Sequence, residues 1–188
     1  RNHDASKGYN RELKTKLSVD AFGDIFSEIC FRSYKDGKFE FSKPEFDIYF
    51  NMLQNPEVKS ITATDFMQDT CYSMCLMYQE SGRFYFIHRS FQEYFCAVFL
   101  SRQKDTVIVK LGNFFENREK RMRGDQTFSM LNDLIPDKLD EFVFIPFLEN
   151  LLERCDNEKG YWTFLEEMYP VIEYTSGEAP MMPMTMYR

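Results

Sequence analysis

Leu76-Met77-Tyr78-Gln79-Glu80-Ser81-Gly82-Arg83-Phe84-Tyr85-Phe86-Ile87-His88-Arg89-Ser90-Phe91-Gln92-Glu93-Tyr94-Phe95 is the stretch on which the fold turns. Two short apolar runs flank Glu80-Ser81-Gly82, and that pattern predicts a β-hairpin with the glycine in its turn. Ser90-x-x-Glu93 has the spacing of a capping box and predicts a helix start. Phe91, Tyr94, Phe95, Val98 and Phe99 then fall on one helical face. A strand running into a capped helix places His88 at the join, two residues before Ser90. Helix N-termini present unpaired N–H groups and the positive end of a dipole. An imidazole there is placed to hydrogen-bond an anion such as phosphate. Spacing alone favours a ring that only bridges backbone groups under the hairpin, and it explains Glu93 by its cap rather than by acid–base chemistry.

Upstream, residues 1–16 are polar and basic and read as a solvated connector. Ser18 is placed to cap a helix carrying Phe22, Ile25, Phe26, Ile29 and Cys30 on one face, ended by Asp36-Gly37. Phe39-Glu40-Phe41 alternates as a very short strand. Ser42-x-x-Glu45, with Pro44 in the first turn, starts a second helix with Phe46, Tyr49, Phe50 and Leu53 inward. Thr62 or Thr64 opens a third, whose apolar face holds Phe66, Met67, Thr70, Cys71, Met74 and Cys75. Residues 18–102 therefore read helix, strand, helix, helix, hairpin, helix, which is the winged-helix order with one helix appended.

Downstream the pattern is helical only. One stripe is Val107, Ile108, Leu111, Phe114 and Phe115, and a second is Phe128, Leu131, Leu134 and Ile135. A third is Leu139, Phe142, Val143, Phe147, Leu148, Leu151 and Leu152, with Pro146 as a kink or a restart. Trp162, Leu165, Met168 and Tyr169 make a fourth, before a Gly- and Pro-containing tail. The expected class is mainly α (α+β), with a connector at 1–17, a winged-helix domain at 18–103, a helical domain at 104–172 and a tail at 173–188.

Composition bounds the function. The 188 residues carry 23 Lys+Arg against 30 Asp+Glu, a net charge of −7, with 20 Phe and 11 Tyr to build a ring-rich core. That charge argues against nucleic acid or an anionic membrane as the main partner. No run of 18 apolar residues suits a spanning helix. Five Cys without framework spacing suggest reduced thiols and a cytoplasmic setting. The chain opens at Arg1 without Met or an apolar leader and is expected to be part of a longer protein.

Several constellations fail on chemistry. Placing Gly37 sixth in a calcium loop puts Arg32 first and Lys43 twelfth, where oxygen ligands are required. Cys71 and Cys75 lack two further zinc partners, and with Cys30, Cys96 and Cys155 they read as small core residues. A DNA-reading third helix needs outward Arg, Lys, Asn or Gln; residues 62–79 offer Asp65 and Asp69 and no Lys or Arg, and the wing offers Arg83. The basic cluster Arg118, Lys120, Arg121 and Arg123 reads as a solvated corner, and the acidic stretch 133–158 as a solvated face.

Phe86-Ile87-His88-Arg89-Ser90-Phe91-Gln92-Glu93-Tyr94-Phe95-Cys96-Ala97 resembles the end of the NACHT module of STAND signalling ATPases, which include the NOD-like receptors and bacterial defence proteins. Cys96 stands where that pattern usually has Ala. His3-Asp4-Ala5-Ser6-Lys7-Gly8, Arg11-Glu12-Leu13-Lys14 and Ile61-Thr62-Ala63-Thr64-Asp65-Phe66 look similar to bacterial NACHT proteins. The resemblance covers roughly residues 1–103 and implies a winged-helix domain there. It implies that His88 contacts the β-phosphate of ADP in the resting state, and that exchange for ATP releases the winged helix so that subunits assemble.

Neither the P-loop nor the magnesium-binding acidic strand occurs in this chain, so by itself it is not expected to be an enzyme or to hold a cofactor. ADP or ATP with Mg would belong to the parent protein. The implied partners are the chain's own upstream NACHT module and a protein trigger or homo-oligomer partner, with no nucleic acid and no membrane. The implied function is a regulatory and sensory piece of an ATP-driven switch, probed by residues 104–188 and set in antiphage defence. The alternatives are a DNA-binding winged-helix transcription regulator and a passive docking scaffold.

Overall fold

Ser18 opens the first helix as its side chain dictates: the hydroxyl accepts from the Ala21 N–H at 3.1 Å, and α1 runs Val19–Lys35. The computed structural model describes residues 12–116 and 124–169. The chain parts into two units between Lys138 and Leu139. Phe22, Ile25, Phe26, Ile29 and Cys30 are all buried along α1. Gly37, at φ +66°, turns the chain out of the helix into β1 (Glu40–Ser42). The Ser42 N–H donates to the Glu45 carboxylate at 2.8 Å while Ser42 Oγ accepts from the Glu45 N–H at 3.4 Å. That complete capping box starts α2 (Lys43–Asn51).

Asn55 caps a 3-10 turn, Pro56–Ser60. Thr62 caps α3 (Ala63–Gln68), which continues as a π-helical turn, Asp69–Ser73. Strands β2 (Met77–Glu80) and β3 (Arg83–Phe86) follow. Ser81 and Gly82, at φ +50° and +76°, form the two-residue turn whose twist suits a hairpin. β1 pairs antiparallel with the other side of β3, so the sheet order is β1-β3-β2. Then comes α4 (Arg89–Ser101). The described residues are mainly helical with one small antiparallel sheet, as the sequence predicts.

Rings build the core. Phe22 stacks on Phe66 at 4.6 Å, and Phe26 meets the edge of Phe95 at 4.9 Å. Phe41 makes edge contacts with Phe46 at 6.1 Å, Tyr49 at 5.6 Å and Phe86 at 5.9 Å. One cluster thus joins α1, α2, α3 and the sheet. Such ring pairs add about 0.5–1.5 kcal/mol each beyond their area.

The structure corrects several expectations. The inward face of α4 is Gln92, Glu93, Cys96, Ala97 and Leu100, not the ring stripe; Phe91, Phe95 and Phe99 lie on its flanks and Tyr94 is exposed. Phe31 stacks on Phe99 from one such flank at 4.8 Å. Small side chains at the closest approach let helices pack tightly, while rings fill the margins. The helix starts at Arg89 with His88 as its N-cap, so Ser90 and Glu93 do not form a capping box.

Cys75, at φ +52°, has left the third helix and is exposed rather than core. The solvated-connector reading fails for Lys14 and Thr15. Their N–H groups donate to Asp69 Oδ1 at 2.8 Å and Oδ2 at 2.9 Å, and the carboxylate also accepts from Thr15 Oγ1 at 2.8 Å and Ser73 Oγ at 3.2 Å. Asp69 is fully buried. The Lys14 ammonium donates in turn to Gln68 Oε1.

Beyond α4 the predicted stripe breaks into α5 (Asp105–Ile108) and α6 (Leu111–Glu116). The β-branched run Thr106-Val107-Ile108-Val109 disfavours one continuous helix. Ile108, Leu111 and Phe115 are buried, but Val107 is exposed. Phe115 meets Phe128 of α7 (Thr127–Leu134) edge-on at 5.0 Å. The short α8 (Pro136–Leu139) follows.

In the second unit a π-helical turn, Asp140–Phe144, runs into α9 (Ile145–Arg154). Pro146 sits in the first turn of α9, which makes it a restart rather than a kink. Asn157 caps α10 (Glu158–Met168), its side chain accepting from the Gly160 N–H at 2.9 Å. Phe147, Leu148 and Leu152 of the predicted stripe are exposed, Leu152 to 72%. The acidic side chains from Asp133 to Glu158 are exposed, as a solvated face requires. The basic cluster Arg118–Arg123, the tail from Glu173, and His3 to Arg11 lie outside the described residues.

Candidate functional site

His88 follows β3 directly. Phe86 pairs with Met77, and the Ile87 N–H donates to Leu76 O at 3.1 Å, so the hairpin holds the chain up to the residue before it. His88 is extended, at φ −141° and ψ 141°, and its carbonyl accepts from the Phe91 N–H at 3.0 Å. Its Nδ1 accepts from the Ser90 N–H at 3.2 Å and lies 2.7 Å from Ser90 Oγ. A nitrogen that accepts a backbone N–H carries no hydrogen, so the neutral ring bears its hydrogen on Nε2. The residue is exposed. The site therefore offers an oriented N–H donor at the positive end of a 13-residue helix.

On the inner side of the same turn lies a charged node. Arg89 Nε sits 2.8 Å from Glu93 Oε1, and Arg89 Nη2 sits 3.8 Å from Asp125 Oδ2. The guanidinium lies over the Phe39 ring, 4.9 Å from its centroid. Tyr34 OH donates to Asp125 Oδ2 at 2.7 Å, and the Thr127 N–H donates to Asp125 Oδ1 at 3.0 Å. The Gln126 N–H reaches Glu93 Oε2 at 3.4 Å. Glu93 and Asp125 have side chains only 4% and 8% exposed. Burial pushes the Glu93 carboxyl up; Arg89 pulls it down, and Asp125 pushes it up further.

Gln92, fully buried, donates from Nε2 to Ser33 Oγ at 2.8 Å and to Lys38 O at 2.7 Å, pinning α4 to the end of α1. Gln92 and Glu93 of the Ser-Phe-Gln-Glu run thus serve the interior, while Ser90 holds the His88 ring, which faces out. Sequence reasoning missed Arg89, Gln92 and Asp125. The i,i+4 spacing of Arg89 and Glu93 was a legible signal; Asp125 is more than 30 residues away and left none.

The rejected constellations have other uses. Asp36 accepts from Tyr49 OH at 2.9 Å, and Lys38 pairs with Glu45 at 2.9 Å. Among the described residues no group of three or more His, Cys, Asp or Glu is arranged to hold a metal. Burial, with Cys96 beside it, pushes the Cys30 thiol well up; burial, then Cys75, raises Cys71 to about 11. Such thiols are poor nucleophiles. Arg83 is engaged by Glu40 at 3.0 Å and Glu45 at 3.5 Å. No helix among the described residues is long and apolar enough to cross a membrane.

Residues 132–186 match the model of the short NACHT-associated C-terminal domain, family 14. The match begins within α7 and makes this end of the chain a NACHT-associated C-terminal region. No curated protein and no solved structure matches the chain.

Proposed function

We propose that residues 18–103 form a winged helix, with β2 and β3 as its wing, and that the chain is the regulatory and sensory part of a NACHT switch. In the resting state His88 donates its Nε2–H to a phosphate of ADP held by the NACHT module. Exchange for ATP removes that contact and frees the winged helix. The NACHT-associated region downstream senses a trigger or restrains assembly, and the exposed Phe147, Leu148 and Leu152 support a surface turned toward another protein. The chain supplies no catalytic step; ADP, ATP and Mg belong to the nucleotide-binding partner module. A cytoplasmic role in antiphage defence is the setting that this reading favours.

The single observation that carries the reading is the exposed His88 ring, anchored through Nδ1 at the head of α4. A phosphate contact needs a donor whose direction is fixed before the ligand arrives, and the cap supplies one. DNA binding has less support, because Arg83 is engaged by two carboxylates and α3 carries no Lys or Arg.

The test is ADP release from the full-length protein. A hydrogen bond to a charged group is worth about 1.5–3 kcal/mol, so His88→Ala should speed release roughly ten- to hundredfold and raise basal signalling. An unchanged release rate would remove His88 from the nucleotide site.

A further inference from the structure

His88 and Arg89 are adjacent and face opposite ways at the first turn of α4. The ring is exposed and tied to Ser90, whereas the guanidinium turns inward to Glu93, Asp125 and Phe39. These partners come from different parts of the chain. Phe39 precedes β1, and Asp125 precedes α7 and is itself gripped by Tyr34 at the end of α1. Asp125 also receives the Thr127 N–H, so its carboxylate fixes how α7 begins. Glu93 receives the Gln126 N–H from the same approach. The peptide between His88 and Arg89 is thus held from outside by the cap and from inside by the node.

We infer that Arg89 is a positioning residue for His88, and that through Asp125 it ties the direction of the imidazole to the start of α7. The inference rests on the reading of His88 as a phosphate contact and adds its regulation. The NACHT-associated region begins at residue 132, inside α7, about two helical turns past Asp125. A movement of α7 pulls Asp125 from Arg89, frees the first turn of α4 and turns the Nε2–H away from its target. The bistable element is a half-buried cation shared between two buried carboxylates, one on the latch helix and one on the approach to α7.

The experiment uses the 188-residue chain without nucleotide. Nitrogen NMR of the His88 ring reports its tautomer, and hydrogen exchange reports the Ser90 amide. Asp125→Asn should speed Ser90 exchange roughly tenfold and move the ring from Nε2–H alone to a tautomer mixture, with the Ile29 and Cys30 amides of the core unchanged. Arg89→Met should do the same, and Arg89→Lys should fall between it and wild type. If Arg89→Met does not fold, Asp125→Asn and Arg89→Lys decide. An unchanged tautomer and Ser90 rate, or a Ser90 change no larger than that of the core amides, would reduce Arg89 to a packing residue. Because no readout involves ADP, this outcome is separable from the release measurement, which tests His88 itself.

Discussion

Asp69→Ala is expected to detach the segment that leads into the first helix. Asp69 is buried inside the π-helical turn, and its two oxygens accept four hydrogen bonds. Two donors are hydroxyls, which can rotate to other partners; the Lys14 and Thr15 N–H groups cannot. At roughly 1.5–3 kcal/mol for each hydrogen bond to a charged acceptor, those two are worth about 3–6 kcal/mol if left buried and unpaired. The segment can instead swing out to water, so the global loss should be smaller, about 2 kcal/mol by urea unfolding. The local loss should be large, with amides 14 and 15 exchanging roughly a hundredfold faster while α1 amides follow only the global change.

Asp69→Asn should lie between. Oδ1 takes the Lys14 N–H and Oδ2 the Thr15 N–H, so an amide NH2 faces one of them in either orientation. Trypsin cleavage after Lys14 and Lys16 gives an independent readout. Wild-type protection of amides 14 and 15 in Asp69→Ala would mean that Asp69 does not hold this segment.

The remaining expectations are narrower. Phe41→Ala removes a fully buried ring with three aromatic neighbours and should cost about 3–5 kcal/mol in urea unfolding. The Ser42 backbone bond, then Lys38 and the Ser42 hydroxyl, hold Glu45 down at about 2 against an ordinary 4.5. Its folded value lies below its unfolded one, so its stabilisation is present above pH 4.5 and is lost as pH falls toward 2. Glu45→Gln should flatten acid unfolding over that window. Glu93 has the opposite sign: its contribution is full below 4.5 and is lost as pH rises through its elevated folded value, which carboxyl carbon NMR should locate above the ordinary range. Gly160→Ala places a methyl 1.9 Å from the Arg154 carbonyl oxygen and should cost about 1–3 kcal/mol, visible as a lower Tm of the second unit.

What the sequence shows and what it hides divides along local and distant interactions. Ser18 and Ser42 cap the helices they were expected to cap, and of Thr62 and Thr64 it is Thr62 that caps the third, because an N-cap bond spans three residues. The Ser81-Gly82 turn was legible for the same reason. His88 as the cap in place of Ser90 was not: the serine spacing fits a capping box, and only the strand before it shows that the ring arrives first. The inward face of α4 was misread because ring periodicity marks flanks as readily as a packed face, and helix contact selected Cys96 and Ala97. The Asp69 clasp and the Asp125 contact join residues about 55 and 91 positions apart, beyond any local pattern. The candidate site was therefore half legible: its outer donor was named from position and resemblance, and its inner support came only with the fold.

The phosphate contact of His88 is best read from the nitrogen spectrum of its side chain in the full-length protein, assigned by His88→Gln and recorded with ADP and then with ATP. A His88 that latches the resting state should show an Nε2–H shifted by a phosphate hydrogen bond with ADP and a solvent-like Nε2–H with ATP. The same Nε2 resonance in both states would mean that His88 does not touch the nucleotide.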